Sequence, residues 1–340
     1  MTPRDIVLEQ LQHCETTPVP YTLSFEKDVL MRLNEHYGTE TWRDRLVPYV
    51  VRCGQVADIK SEVIDDAHSR DPFGTVWRTD RLPRVVVEPG LKVPSLDGYA
   101  FPSAETFLDS TLKADAKGLA EKTTDSFTIV STRLCLWQSW YVRGFEETLA
   151  DCAVEEDFYA ELLDRFTDLT IALVAACADI PADAIMMGDD WGNQRGVMIG
   201  PERWRRLYKP RYARIFEAVH EQGKRMIMHC CGSAADIMPD IIEIGLDVLE
   251  SVQSEAAGMN PYALKKKWGD SITFWGGLGS QSTIPFGTPA ELHREIRRLR
   301  TEMSRGGGYI LAPAKPLRPE TPTENAVAIV EEFLAGAACG

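Results

Sequence analysis

The feature that most constrains the fold is a regular alternation of short apolar segments with amphipathic helical patterns, beginning at Phe127. Segments typical of buried strands occur near residues 127–132, 184–188, 225–229, 246–250, 272–276 and 308–312. Helical patterns occur near residues 137–149, 156–179, 201–222, 234–244, 261–268, 289–305 and 322–336. Strands that alternate with amphipathic helices pair in parallel and are joined by helical crossovers. This part of the chain is therefore expected to be an α/β domain built on a parallel sheet.

The N-terminal part supplies the remaining strand candidates. Pro20–Phe25 is a plausible first strand and brings the number of clear strands to seven, while Pro48–Gly54 is a weaker candidate for an eighth. Eight strands would close a (β/α)8 barrel. A doubly wound open sheet is the competing architecture, but no G-x-G-x-x-G motif follows the first strand. We therefore predict a TIM-type (β/α)8 barrel that occupies residues 1–340 as one domain.

One segment, at about residues 71–102, departs from the alternating pattern. Phe73–Arg78 and Arg84–Glu88 predict a β-ribbon, and a loop follows them. We interpret this segment as an insertion into the barrel and not as a βα unit. Its aromatic residues from Phe73 to Trp77 are expected to be exposed and to offer a contact for a homodimer.

Charge and composition exclude several classes of partner. The formal net charge is -14, whereas proteins that bind nucleic acid or anionic membrane surfaces carry basic patches. No apolar run approaches the ~18 residues of a membrane span. No secretory leader is evident at the N-terminus, and eight cysteines are scattered without a framework spacing, at positions 14, 53, 135, 152, 177, 230, 231 and 339. We expect a cytoplasmic protein with reduced thiols that acts on a small molecule.

Polar residues gather where the predicted strands end. In a barrel of this kind the chemistry is placed at the carboxyl ends of the strands, where the βα loops begin. Successive strands end in the following residues: Gly188 to Gln194, His229 to Cys231, Glu250 to Gln253, Trp275 to Gln281, and Ala312 to Lys315. Five strand ends with this character favour an active site at this face more strongly than any one motif does.

His229 and Cys231 are the candidate metal ligands. An imidazole and a thiolate two positions apart, at the end of a strand, can both turn toward one point and bind a soft divalent ion such as Zn²⁺. The alternative is that His229, Cys230 and Cys231 are buried structural residues, and Cys230 is expected to pack in any case. Glu250 lies one βα unit further on. It either completes the ligand set, supports a ligand from behind, or pairs with Lys315 or Arg225.

Four further residues are candidates for catalysis or substrate binding. Asp189 and Asp190 are adjacent, so one is expected to hold the loop while the other enters the cavity as a substrate anchor or proton acceptor; both could instead cap the loop. Gln194 lies in the same loop. Lys315 stands between two prolines and is interpreted as a cation for a substrate carboxylate or as a rim residue. The Gly276–Ser280 turn either cradles an anion with its N–H groups or is a packed turn.

Several of these stretches, in this order and spacing, resemble the uroporphyrinogen decarboxylase superfamily, and more narrowly its cobamide- and thiol-dependent methyltransferase branch. The stretches that carry the resemblance are Gly188-Asp-Asp-Trp-Gly-Asn-Gln194, Gly200-Pro-Glu-Arg-Trp-Arg205, Met228-His-Cys-Cys-Gly232, Phe274-Trp-Gly-Gly-Leu278, Gly307-Gly-Tyr-Ile-Leu-Ala-Pro313 and Thr321-Pro-Thr-Glu-Asn325. The resemblance implies a distorted (β/α)8 barrel. The decarboxylases themselves carry an arginine pair near the N-terminus that binds substrate carboxylates, and here the corresponding region, Leu23 to Leu30, has none.

Membership of the methyltransferase branch implies Zn²⁺ held by an H-x-C motif and a later cysteine. His229 and Cys231 match the motif, but Lys315 stands at the position of the later cysteine. The related cobalamin-independent methionine synthases use a glutamate after their H-x-C, and Glu250 is similarly placed. We therefore predict a zinc-dependent methyltransferase that acts with a corrinoid protein or free cobamide, or another methylated small molecule, and a thiol-type acceptor.

Two alternatives stay open beside the methyltransferase prediction. One is a metal-free decarboxylase of the same superfamily, in which Asp190 stabilises a developing cation and Lys315 holds a carboxylate. The other is a barrel that binds a tetrapyrrole or corrinoid without transforming it.

Overall fold

The computed structural model describes residues 1–337, so Cys339 lies outside the described residues. The strands are β1 Val50–Gln55, β2 Glu62–Val63, β3 His68–Arg70, β4 Val76–Arg78, β5 Val85–Glu88, β6 Phe127–Ser131, β7 Ala184–Gly188, β8 Arg225–His229, β9 Val248–Val252, β10 Thr273–Leu278 and β11 Tyr309–Pro313. The α-helices are α1 Pro3–Leu11, α2 Lys27–Tyr37, α3 Ser110–Lys122, α4 Gln138–Arg143, α5 Phe145–Val154, α6 Glu156–Ala175, α7 Pro201–Leu207, α8 Lys209–His220, α9 Met238–Glu243, α10 Pro261–Trp268, α11 Thr283–Phe286, α12 Pro289–Met303 and α13 Thr323–Ala337.

Seven parallel strands form one curled sheet in the order β1-β6-β7-β8-β9-β10-β11. Each strand from β6 onward is followed by one or more helices. Strands that are consecutive in this part of the sequence are also adjacent in the sheet. The predicted strands between residues 127 and 312 are all present. This arrangement confirms the distorted TIM-type barrel.

The predicted first strand was wrong in its extent, and the weaker candidate proved to be the real one. Pro48–Gly54 overlaps β1, which pairs with β6. Residues 20–25 instead form an extended segment with isolated parallel bridges, from Tyr21 to Leu311 and from Phe25 to Leu317. Pro20 has no N–H to donate to a ladder. The segment still connects the two edges of the sheet, because the Val47 N–H donates to the Tyr21 hydroxyl over 3.0 Å.

Helix α12 shows how the sequence places a helix against the sheet. Thr288 and Glu291 form a reciprocal capping box at its N-terminus, and Pro289 occupies the first turn, where no N–H is needed. Its buried residues recur at helical spacing: Leu292, Ile296, Leu299 and Met303. The opposite side carries arginines and glutamates. This apolar stripe packs the helix on β10, β11 and α13.

Two helical patterns predicted as continuous are each broken into two helices. The pattern at 137–149 is divided at Gly144, whose φ of 95° cannot continue a helix. The pattern at 201–222 is divided at Tyr208, two residues before Pro210. Proline has no N–H to donate to the carbonyl four residues earlier. A continuous helix through Pro210 would therefore lack one backbone hydrogen bond.

The insertion is a four-stranded antiparallel sheet with the order β2-β3-β4-β5. It begins at Glu62, about nine residues earlier than predicted, because the short strands β2 and β3 lack an apolar pattern. The aromatic residues in it are not exposed as expected. Phe73 is 1% exposed and stacks on Phe107, while Trp77 contacts Tyr141 of α4. The aromatic side chains of Phe73 and Trp77 therefore attach the insertion to the barrel. The homodimer stays a prediction.

Among the described residues, 1–337, no helix has the length and apolar character needed to cross a lipid bilayer.

Candidate active site at the carboxyl end of the barrel

Parallel pairing brings the predicted site residues of neighbouring strands side by side. His229, the last residue of β8, is in register with Gly188 of β7 and with Glu250 of β9. Cys231 follows two residues after His229, and Lys315 follows β11. The cluster formed by His229, Cys231, Glu250 and Lys315 lies at the carboxyl end of the sheet, as the strand-end pattern predicts.

The imidazole of His229 makes a different contact at each ring nitrogen. Its Nδ1 is hydrogen-bonded to the Glu250 carboxylate, and its Nε2 lies 3.1 Å from Cys231 Sγ. Arg52 of β1 approaches the other carboxylate oxygen of Glu250 at 3.3 Å. Glu250 therefore lies on the side of the ring away from Cys231, where it fixes the orientation of the imidazole.

Lys315 contacts both members of the H-x-C motif. Its Nζ lies 2.6 Å from Cys231 Sγ and 3.4 Å from His229 Nε2. The sequence predicts that this lysine holds a substrate carboxylate, but here the ammonium group is engaged by the thiol. Glu250 does not hydrogen-bond Lys315, and Arg225 pairs with Asp247 instead.

Backbone N–H groups of the loop carrying Cys231 donate to side chains that follow β7 and β9. Cys231 N–H donates to Asp190 Oδ1 over 2.8 Å. Gly232 N–H donates to Gln253 Oε1 over 2.8 Å, and Gln194 Nε2 approaches the same oxygen at 3.3 Å. Gly232 has a φ of 73°, and a Cβ on it would lie 2.6 Å from the Asn193 carbonyl oxygen. Only glycine permits so close an approach of the two loops.

Three donor groups converge on one point suitable for a metal. Side-chain donor atoms of Asp190, His229 and Cys231 lie within 4.8 Å of one another. No other such group of three His, Cys, Asp or Glu donors occurs within residues 1–337. An imidazole, a thiolate and a carboxylate with a vacant fourth position are a suitable set for Zn²⁺. Asp190, and not Glu250, is thus the carboxylate with an oxygen within 4.8 Å of donor atoms on both motif residues.

Hydrogen bonds determine the directions in which the pKa values of His229 and Glu250 are shifted. Burial disfavours the charged form of His229, but hydrogen bonds to Cys231 and Glu250 and their negative charge outweigh burial and raise the pKa of His229 to about 10. Burial also opposes the charged form of Glu250. The contact with His229, together with Arg52 and Lys315, nevertheless lowers the pKa of that carboxyl below its ordinary value.

The two adjacent aspartates take different positions. Asp189 is 2% exposed, and its Oδ2 accepts a hydrogen bond from the Tyr212 hydroxyl, while Oδ1 has no partner. Burial raises the pKa of Asp189 to about 8, with a smaller contribution from Asp190. Asp190 is exposed and supports the Cys231 loop. Asp189 is thus buried against α8, while Asp190 holds the Cys231 loop and also borders a cavity. The expectation that one aspartate binds substrate or accepts a proton stays a prediction.

The Glu255 carboxylate accepts hydrogen bonds from the backbone N–H groups that follow the Gly276–Ser280 turn. Its Oε1 accepts hydrogen bonds from the N–H groups of Gln281 and Ser282, over 2.8 and 3.0 Å. A Cβ on Gly279 would lie 2.6 Å from the same oxygen. The Gly276–Ser280 turn was predicted either to bind an anion or to be a packed turn. The structure shows a packed turn, and the anion beside it is the protein's own Glu255 carboxylate.

His229 borders three adjoining cavities, of about 500, 500 and 450 Å³. The last is walled by Trp137, which immediately precedes α4, and by Trp140 and Tyr141 within α4, three and four residues further on. Cys231 and Lys315 border a further cavity of about 410 Å³ together with Gln194. The cluster therefore lies between the cavity that contains Gln194 on one side and the aromatic wall on the other.

The sequence of this barrel matches a known family. The sequence model described as uroporphyrinogen decarboxylase (URO-D) matches residues 138–334, which is more than half of the chain and includes β7 to β11. The chain belongs to the URO-D family. The resemblance stated from the motifs is thereby confirmed.

Relatives of two kinds are similar to this URO-D family member. It is 28% identical over 180 residues to uroporphyrinogen decarboxylase of Syntrophotalea carbinolica, covering 51% of this chain and 47% of that protein. It is 27% identical over 177 residues to the methylcobamide:CoM methyltransferase MtaA of Methanosarcina barkeri, covering 51% and 48%. The matched region thus spans about half the length of these curated relatives. The URO-D family is a family of enzymes. Membership of it does not distinguish decarboxylation from methyl transfer.

A solved structure extends the likeness to the whole barrel. A methyltransferase from Methanosarcina mazei superposes with a TM-score of 0.71 at 20% identity, covering 98% of each chain. At this identity the likeness concerns the fold alone.

Three residues of the URO-D site were not among those predicted. Arg52 reaches Glu250 from β1 and lies over the Trp275 ring at 5.5 Å. The sequence signal for Arg52 was a charged residue directly after the apolar pair Val50-Val51. It was missed because that segment was only a weak strand candidate. Gln253 was noted only as a polar strand-end residue. Tyr212 lies within a helical pattern and carried no signal.

Proposed function

We propose that this URO-D family member is a methyltransferase that moves a methyl group from a methylated corrinoid, or another methylated small molecule, to a thiol-type acceptor. The proposal rests on the convergence of Asp190, His229 and Cys231 at the carboxyl end of the barrel. The likeness to MtaA supports it. The absence of an arginine pair in the Leu23–Leu30 region argues against a substrate with many carboxylates.

His229, Cys231 and Asp190 would hold Zn²⁺. When bound, the metal would supply a Lewis acid that lowers the pKa of an acceptor thiol at its vacant position. Glu250 keeps the imidazole oriented through Nδ1 so that Nε2 remains directed toward Cys231. Asp190 also accepts the Cys231 N–H, so a change at Asp190 affects both the donor set and the loop that carries it.

The residues around the cluster are suited to positioning substrates. Gln194 borders the cavity that also contains Cys231 and Lys315, where a polar acceptor would bind. The aromatic wall of Trp137, Trp140 and Tyr141 lines the cavity on the other side of His229. We propose that the methyl carrier is free cobamide or is presented by a separate corrinoid protein. The described residues 1–337 are taken up by the barrel and its small sheet.

Metal content and methyl transfer test the proposal together. The purified protein is expected to bind about one Zn²⁺ per chain, and His229→Ala and Cys231→Ser are expected to lose it. Incubation with methylcobalamin and a panel of thiols should remove the methyl–cobalt absorption band only with the metal-loaded wild type. Cys14→Ser, an exposed cysteine outside the site, is the matched control. Zinc far below one per chain, unchanged by His229→Ala, would contradict the metal site.

Decarboxylation is a second candidate function, favoured by one feature of the cavity. Arg52 and Lys315 both border the 500 Å³ cavity that contains Glu250, and two cations there could bind a substrate carboxylate. This function predicts release of carbon dioxide from a small carboxylated substrate without added metal. It also predicts that Arg52→Ala and Lys315→Ala each weaken substrate binding, whereas His229→Ala has a smaller effect.

A further inference from the structure

The amino group of Lys315 lies within 3.4 Å of both Cys231 Sγ and His229 Nε2, the two atoms that would bind a metal. We propose that Lys315 is a resident cation in the metal position, which must leave before Zn²⁺ can bind. This inference rests on the proposed function, since it concerns the same donor set. It assigns to Lys315 control over metal occupancy, in place of the substrate contact predicted from the sequence.

The distances among three atoms carry the inference. Lys315 Nζ lies 2.6 Å from Cys231 Sγ and 3.4 Å from His229 Nε2, and the latter two atoms are 3.1 Å apart. A zinc ion lies ~2.0–2.1 Å from an imidazole nitrogen and ~2.3 Å from a thiolate sulfur. The Cys231 sulfur thus presents a lone pair to the ammonium group. A metal bound to both residues would need that lone pair, together with the one on Nε2 after its proton has left. Two cations this close would also repel one another strongly.

The backbone on both sides of Lys315 is fixed, so the side chain alone must move. Ala314 N–H donates to the Leu278 carbonyl over 3.0 Å, and the Ala314 carbonyl accepts from Ser251 Oγ over 2.6 Å. Leu317 N–H donates to the Ser24 carbonyl over 2.9 Å. The anchored backbone therefore places the Lys315 ammonium group beside Cys231 and His229. Only the four-carbon side chain of Lys315 is free to rotate.

Space exists for the side chain when it is displaced. Lys315 borders both the 410 Å³ cavity next to Cys231 and the 500 Å³ cavity next to Glu250. Rotation about the stem carries Nζ into one or the other without moving a strand. The displaced ammonium group would then be solvated or paired with Glu320, which borders the first cavity. Metal binding and exposure of this amine are therefore coupled.

The coupling predicts that removal of the positive charge strengthens metal binding. Metal-free wild type, Lys315→Leu and Lys315→Arg would be titrated with Zn²⁺ against a competing chromophoric chelator. Lys315→Leu is expected to bind Zn²⁺ at least about tenfold more tightly than wild type, because the competing charge is gone. Lys315→Arg, which keeps the charge, should bind no more tightly than wild type. Thermal melting of each variant verifies folding, and Lys315→Ala serves if the leucine variant does not fold.

A second measurement follows Lys315 itself in the unaltered protein. Acetylation by an amine-reactive reagent, read by peptide mass spectrometry, should increase at Lys315 when Zn²⁺ is added. Lys60, whose side chain is 66% exposed and paired with Asp109, should be acetylated equally with and without the metal. Unchanged acetylation of Lys315 at saturating Zn²⁺ would overturn the inference.

The titration separates the failure of this inference from that of the proposed function. Equal, tight and stoichiometric Zn²⁺ binding by wild type and Lys315→Leu would overturn the resident cation but leave the metal site intact. Failure of every variant to bind Zn²⁺ would overturn both.

Discussion

The Glu250 carboxylate is hydrogen-bonded to Nδ1 of His229, the ring nitrogen opposite the one that faces Cys231. The sequence alone offers Glu250 as a ligand or as a support for a ligand. The structure places it behind the imidazole, with Arg52 at its other oxygen. A carboxylate in this position fixes the tautomer and the orientation of a metal-binding histidine.

Removal of this support should weaken metal binding without abolishing it. Glu250→Ala is expected to lower Zn²⁺ affinity by roughly 10–100-fold, the usual effect of losing such a partner. Glu250→Gln should have a smaller effect, because its amide oxygen can still accept from Nδ1–H. Chelator competition measures both, with the exposed Glu243→Ala as control. Wild-type affinity in Glu250→Ala would show that the imidazole is held by other contacts.

Gly232 is expected to be intolerant of any side chain. Gly232→Ala would place a Cβ 2.6 Å from the Asn193 carbonyl oxygen at a φ of 73°, and strain of this kind costs about 1–3 kcal/mol. The loops carrying Asp190 and Cys231 should separate, so stability and Zn²⁺ binding fall together. Urea unfolding measures the first. Gly118→Ala, in α3 with no neighbouring atom within 4 Å, should instead stabilise by about 0.5–1 kcal/mol.

Glu255 should be required for order in the loop after β10. Glu255→Ala leaves the N–H groups of Gln281 and Ser282 without their acceptor, so their amide hydrogens should exchange faster with solvent. Loss of these charge-assisted bonds is expected to destabilise the protein by about 1–3 kcal/mol. Hydrogen exchange read by mass spectrometry on the peptide spanning 279–286 provides the test. Slow exchange there in Glu255→Ala would mean that the turn is held by its own backbone.

Asp247 should make stability depend on acid pH. Burial opposes its charged form, but hydrogen bonds from His220 and the Met226 N–H, with Arg225 nearby, lower the pKa of Asp247 below its ordinary value. The unfolded chain then takes up the proton first as pH falls. The stabilisation is complete above about pH 4 and is lost as pH falls through the folded-state pKa.

Asp247→Asn should therefore be less stable than wild type at pH 7, and the difference should shrink toward pH 3. Urea unfolding across this range measures the effect, with the exposed Asp270→Asn as control. A constant difference at all pH values would indicate a change in packing and not in ionisation.

Much of the architecture followed from pattern alone. The alternation after Phe127 predicted six strands of the sheet, and the helical pattern predicted at 261–268 coincides with α10. Prediction failed where patterns were short or mixed. Strands β2 and β3 carry two and three residues, and β1 contains Arg52 and Gly54, so neither apolar run nor alternation marks them clearly.

The sequence by itself determined that polar residues, including histidine, cysteine and carboxylate side chains, follow consecutive parallel strands, because strand period and chain direction place such residues at one face. It identified His229, Cys231, Asp190, Glu250 and Lys315 as members of that face. Only the tertiary structure decided their contacts. Lys315 and Cys231 are 84 positions apart, and their contact depends on strand register, anchored loops and side-chain reach. Local sequence does not encode these through-space distances. They decide whether a carboxylate lies behind an imidazole and whether an ammonium group contacts a thiol.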